Sequence, residues 1–144
     1  MTDNLTLKYY SNLLLQIKRG FRNGTIVNAK LYLLLAIFDQ IESNVIHDNK
    51  IFFTNDLTNQ YDKYHNQYER NFKTPLFRPF FYLSSDGFWH IEWKNKGKAI
   101  RISESFLRNN VDYAHLDNAL WDLLQDEQNR NILRQSIINF YFKK

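Results

Sequence analysis

The chain contains no cysteine. That removes disulfides, thiol nucleophiles and cysteine-based zinc sites at once, and it fits a reducing, cytoplasmic setting. Proline occurs twice and glycine four times, so no Pro/Gly linker divides the 144 residues. One domain, 1–144, is expected, with enough chain to bury a core without staples. The longest apolar run, "LYLLLAIF" from Leu31 to Phe38, is far shorter than a bilayer span, and "MTDNLTLKYY" has no apolar signal core. Neither a membrane partner nor a secretory segment is expected. Also missing are "HExxH", a phosphate-binding glycine loop and "GxSxG". No cofactor, no metal and no catalytic residue is therefore expected.

Positive charge is in modest excess, with a formal net charge of +4. It is unevenly spread. Residues 1–24 carry Lys8, Lys18, Arg19 and Arg22 against Asp3, and residues 62–101 are also net basic. The segments between and after them are net acidic. Two basic stretches suit an anionic partner such as DNA, although a solvated surface gives the same count.

Periodicity predicts helices over Leu5–Ile17, Asn28–Ser43 and from Thr54 to about Asn71. The first is expected to bury Tyr9, Leu13 and Ile17. The second is apolar all round and reads as a central buried helix. The third places Leu57, Tyr61, Tyr64, Tyr68 and Phe72 on one face. "NVIHDNKIFF" reads as two short strand-like runs about a polar turn. Ser103, Asp117 and Asp126 read as caps of three later helices, the last burying Ile132, Leu133, Ile137, Phe140 and Tyr141.

Aromatic side chains crowd "FRPFFYLSSDGFWHIEW", Phe77 to Trp93. Asp86-Gly87 is a strong hairpin signal. A hairpin about it sorts Phe80, Tyr82, Trp89, Ile91 and Trp93 onto one face, and Phe81, Leu83, Phe88, His90 and Glu92 onto the other. Both faces would be covered if helices flank the sheet. Pro79 then marks a sheet edge, and Arg78 beside ring surface offers a place where a phosphate and an apolar group meet. His90 and Glu92, two apart, have the spacing of a histidine and its orienting carboxylate, but two residues make no active site. The fold class is thus α+β: a mostly helical single domain with a prominent antiparallel β-hairpin.

In order, "AKLYLLLAIFDQIES", "NKIFF", "PFFYLSSDGFWHIEW" and "VDYAHLDNALWDLLQDEQNRNILRQSIINFYF" resemble one family over nearly the whole chain. It is the DNA-recognition domain that precedes the nuclease module of McrA-like, HNH-type restriction endonucleases. Its best-known members are sulfur-binding domains that recognise phosphorothioated DNA. The resemblance implies a DNA-binding module of a modification-dependent restriction system, a bacterial defence. Its partner would be double-stranded DNA, with any cutting done by an HNH nuclease domain that the sequence to Lys144 does not include. It implies DNA contacts from Arg19, Arg22, Asn28, Lys30, Arg78, Tyr82 and Ser84. It implies a sulfur pocket built from Val27, Asn28, Pro79, Phe81 and Tyr82. The chain departs from the family at two places. Where relatives show a Pro-His-Lys-Pro-like entrance to the central helix, it has Asn28, Ala29, Lys30 and Leu31. Where they often carry His or Arg before the hairpin leucine, it has Tyr82. Two alternatives stay open: a protein-interaction module that retains the fold, and a reader of unmodified sequence that uses the hairpin as a wing.

Overall fold

The structure is a computed structural model that describes residues 3–95 and 101–143. Seven α-helices are interleaved with four short strands among the described residues. The order is α1 (Asp3–Leu14), β1 (Phe21–Arg22), β2 (Thr25–Ile26), α2 (Ala29–Glu42), α3 (Asn55–Tyr68) and α4 (Phe77–Tyr82). A 3-10 turn, Leu83–Asp86, leads to β3 (Trp89–Trp93). Then follow α5 (Glu104–Asn110), β4 (Val111–Leu116), α6 (Asn118–Leu124), α7 (Glu127–Ile137) and a π-helical turn, Ile138–Phe142. The α+β class holds: a mostly helical domain with two small antiparallel strand pairs, β1–β2 and β3–β4.

The central helix is α2. Every residue from Leu31 to Phe38 is buried, as its all-round apolar pattern predicts. Helix α3 packs along it. Thr54 caps α3 by accepting the Leu57 N–H at 3.0 Å. Ser103 and Asp126 cap α5 and α7 in the same way. Asp117 precedes α6 but makes no cap bond with its side chain. Its carboxylate instead takes the Tyr10 hydroxyl at 2.7 Å and lies 2.6 Å from His90 Nε2.

The aromatic stretch departs from its expected shape. Phe77–Tyr82 is helical, and no hairpin turns at Asp86-Gly87. Leu76, Phe80 and Leu83 are buried at spacings of four and three, which is a helical face. Gly87, at φ +96°, ends the 3-10 turn as a left-handed cap rather than opening a hairpin. Pro79 therefore sits in the first turn of a helix, where its missing N–H costs nothing, and not at a sheet edge. The stretch does build core: Trp89 donates its ring N–H to the Phe80 carbonyl at 2.7 Å, with the two rings edge to face. Strand β3 pairs with β4, Trp89 opposite Leu116 and His90 opposite His115. Glu92 bonds His115 at 2.9 Å, so the expected His90–Glu92 partnership does not exist.

Smaller corrections follow the same logic. Helix α1 buries Tyr10 and Leu14, one position on from the expected Tyr9 and Leu13, and leaves Tyr9 exposed. Helix α7 buries Leu133 and Ile137, while Ile132 and Phe140 face out. In "NVIHDNKIFF" only Ile51 pairs, as a one-residue bridge to Ala114. Lys96 and Lys98 of the second basic segment lie outside the described residues.

Candidate anion-binding pocket

A pocket of about 670 Å³ opens between the α1–β1 link, the start of α2 and helix α4. Its first wall is the basic link. Two posts hold that link in place. Asp86 Oδ1 accepts the Lys18 backbone N–H at 2.9 Å, and Lys18 Nζ donates to the Ser85 carbonyl at 3.0 Å. On the other side the Tyr141 hydroxyl donates to the Leu14 carbonyl at 2.7 Å and accepts the Ile17 N–H at 3.3 Å. Burial raises the Tyr141 pKa, so that hydroxyl stays a donor. The Arg19 guanidinium lies 4.7 Å from the centre of the Tyr141 ring and donates to Asn28 Oδ1 at 2.9 Å.

The second wall is Thr74–Pro75 and one side of α4. Thr74 is clamped at both backbone groups by α3. Its N–H donates to His65 Nε2 at 3.0 Å, and its carbonyl accepts the Tyr61 hydroxyl at 2.6 Å. Arg78, Pro79, Tyr82 and Ser85 then follow along one side of α4 and the 3-10 turn. Their spacings of one, three and three are those of a helical stripe. Val27, Ala29, Pro75 and Pro79, with the rings of Phe21 and Tyr82, give the pocket its apolar surface.

Five cations line this space: Lys18, Arg19, Arg22, Lys30 and Arg78. Among the described residues only Lys30 has a carboxylate within reach, Asp86 Oδ2 at 2.7 Å. No histidine and no carboxylate lines the pocket, and no group of three metal-ligating side chains occurs among the described residues. The arrangement is thus a cationic rim over an apolar floor. It suits an anion that carries a soft or apolar portion. Lys30 Nζ also lies 3.4 Å from the Ser85 hydroxyl, but its bond to Asp86 at 2.7 Å is the shorter one.

The chain matches no protein-family model, and no curated protein matches it.

Of the residues expected from the sequence, the pocket brings together Arg19, Arg22, Val27, Lys30, Arg78, Pro79 and Tyr82. It leaves out three. Asn28 stands behind the wall and holds Arg19. Phe81 turns to the other side of α4, with its ring 6.3 Å from that of Trp93. Ser84 caps back onto the Phe81 carbonyl at 2.8 Å. In the helical register the neighbour of Tyr82 along the pocket wall is Ser85 rather than Ser84. Lys18, Phe21, Thr74 and Pro75 were not anticipated. Lys18 and Phe21 flank two expected arginines in the same Gly-broken loop, so sequence adjacency was the available signal. Nothing local in Thr74–Pro75 announces that α3 will clamp it there.

Proposed function

We propose that this chain is a DNA-binding module that takes a backbone phosphate of double-stranded DNA into the pocket and favours a phosphorothioate there. One observation carries the reading: an apolar floor of Val27, Pro75 and Pro79 lies under a rim of arginines with no carboxylate partner among the described residues. Sulfur in place of a non-bridging oxygen is larger, more polarisable and a poorer hydrogen-bond acceptor. An apolar floor takes it at little cost, while a phosphate oxygen loses hydration there without repayment. The rim holds the remaining charge, and the amino-terminal end of α2 adds its positive dipole. The resemblance to sulfur-binding domains points the same way.

On this reading the module does not cut DNA by itself, and an HNH-type nuclease module supplies cleavage in a bacterial restriction system. The setting is cytoplasmic. No helix among the described residues is long and apolar enough to cross a membrane.

Titrating one duplex with and without a single phosphorothioate, over a range of salt, tests the proposal. Binding should fall steeply with salt and be tighter for the sulfur duplex. Equal affinity for both duplexes removes the sulfur selectivity; salt-insensitive or absent binding removes the DNA reading.

A further inference from the structure

Beside the pocket stands a hairpin that contributes no buried residue. Every residue from Phe21 to Ile26 is exposed, with Phe21 at 72% and Ile26 at 40%. The two are cross-strand partners in β1–β2, so they form one continuous apolar face. Arg22 and Thr25 pair on the opposite face. A large ring left this open on a two-residue strand has no role in the core.

The hairpin is nonetheless a defined object. Asn23 and Gly24 both have positive φ, +52° and +79°, the pattern of a type I′ turn between paired strands. The Val27 N–H closes its base on the Gly20 carbonyl at 2.8 Å. Arg22 braces it from one side, with its guanidinium 4.9 Å from the centre of the Phe72 ring. Phe21 and Arg22 also line the pocket, alongside Arg78. The apolar face thus borders the space in which the proposed phosphate would sit.

We infer, on the DNA-binding reading above, that the β1–β2 hairpin is a wedge that enters the groove next to the bound phosphate. Phe21, backed by Ile26, inserts at a base step and partly unstacks it, while Arg22 stays on the backbone. Rings and branched aliphatics are the side chains that do this in groove-binding proteins, and a short braced ribbon holds them without an ordering cost on binding. The surrounding cations supply the charge complementarity that favours DNA over an apolar partner.

The test uses duplexes carrying the fluorescent base 2-aminopurine at each step flanking the phosphate, read for affinity and for fluorescence together. Wild type should raise the fluorescence at one step on binding. Phe21→Ala should bind about tenfold more weakly, as loss of one aromatic–base stack implies, and lose the rise. Phe21→Leu should retain most of both. Melting temperatures should stay unchanged in both variants, because Phe21 supports no core. Tight binding by wild type with no fluorescence rise at any step overturns the wedge and leaves the DNA reading standing. So does full affinity and full fluorescence in Phe21→Ala. Phe21-dependent dimerisation without DNA assigns the face to self-association and also overturns it. No binding of wild type to any duplex at low salt overturns both.

Discussion

Lys30 Nζ lies 2.7 Å from Asp86 Oδ2, and the Asp86 side chain is only 3% exposed. That carboxylate also receives the Lys18 backbone N–H. One buried acid therefore ties the first turn of α2 and the basic link to the end of the 3-10 turn. Removing one partner of a buried pair leaves the other charge without compensation.

Lys30→Ala should accordingly lower stability by about 3 kcal/mol, at the low end for breaking a buried pair. Asp86→Ala should do the same and loosen the Lys18–Gly20 link. Affinity for every duplex should then fall together with melting temperature. If Lys30 instead contacts phosphate directly, Lys30→Ala weakens binding in a protein of unchanged stability. Denaturant melts alongside binding titrations distinguish these outcomes.

Arg22 and Arg78 should behave differently, because both are exposed and lie on aromatic rings with no carboxylate within reach among the described residues. Replacing either with alanine should leave stability within about 0.5 kcal/mol. Each change should reduce the slope of log affinity against log salt by about one phosphate contact, for all base sequences alike. A loss confined to one base sequence would mean that the arginine reads bases.

His65 gives the pocket wall a pH dependence. Its Nε2 accepts the Thr74 N–H, so the neutral ring carries its proton on Nδ1, which is buried without a partner. Burial, helped by the nearby charge of Lys73, holds its pKa below the usual 6.5. In the unfolded chain the same ring takes up its proton first as pH falls. Stability due to His65 is thus fully present above about pH 6.5 and declines as pH drops through that value, at no more than about 1.4 kcal/mol per pH unit. The decline ends below the folded pKa. Protonation of the folded ring, which comes only at its lowered pKa where that decline ends, removes the acceptor for Thr74, so phosphate binding by the folded protein should weaken at lower pH than stability first does. His65→Gln keeps an acceptor and cannot titrate. Its melts and titrations between pH 7.5 and 5 should be flatter than those of wild type (the window about the ordinary histidine value). Parallel curves would show that His65 does not control the wall.

Two Asx-Gly pairs show where the sequence was legible and where it was not. Asn23-Gly24 turns a hairpin, and Asp86-Gly87 ends a 3-10 helix. The dipeptide alone does not separate these outcomes. What decides them is the use of the acid's side chain by Lys18 and Lys30, residues 68 and 56 positions away. Helix α2 was legible because eight consecutive apolar residues admit no exposed face. The α3 cap was legible because Thr54 acts within three residues. In Phe77–Tyr82, aromatic density outweighed the spacing of Leu76, Phe80 and Leu83, and strand propensity yielded to tertiary packing against Phe53 and Trp89. The basic residues of the pocket were legible because Arg19, Arg22 and Lys30 flank one Gly-broken loop. The register of the facing wall was not, since it depends on the helix that replaced the strand.

That register sharpens the test of sulfur selectivity. Tyr82 is 45% exposed and lines the pocket, whereas Phe80, two residues earlier, is fully buried. Tyr82→Ala should therefore leave the fold intact, while Phe80→Ala should cost about 3–5 kcal/mol as a core deletion. Pro79→Ala keeps a helix-compatible residue in the first turn of α4 and removes ring surface from the floor. If sulfur rests on this surface, Tyr82→Ala and Pro79→Ala should weaken binding of the phosphorothioated duplex and leave the ordinary duplex nearly unchanged. Burial of a sulfur-sized apolar group is worth about 1 kcal/mol or somewhat more, so the preference should shrink about five- to tenfold. Arg78→Ala should weaken both duplexes, since its charge meets phosphate in either. Equal loss on both duplexes in a destabilised Pro79→Ala or Tyr82→Ala protein would assign these residues to packing alone. Unchanged preference in both stable variants would move the sulfur elsewhere in the pocket, to Val27 and Pro75.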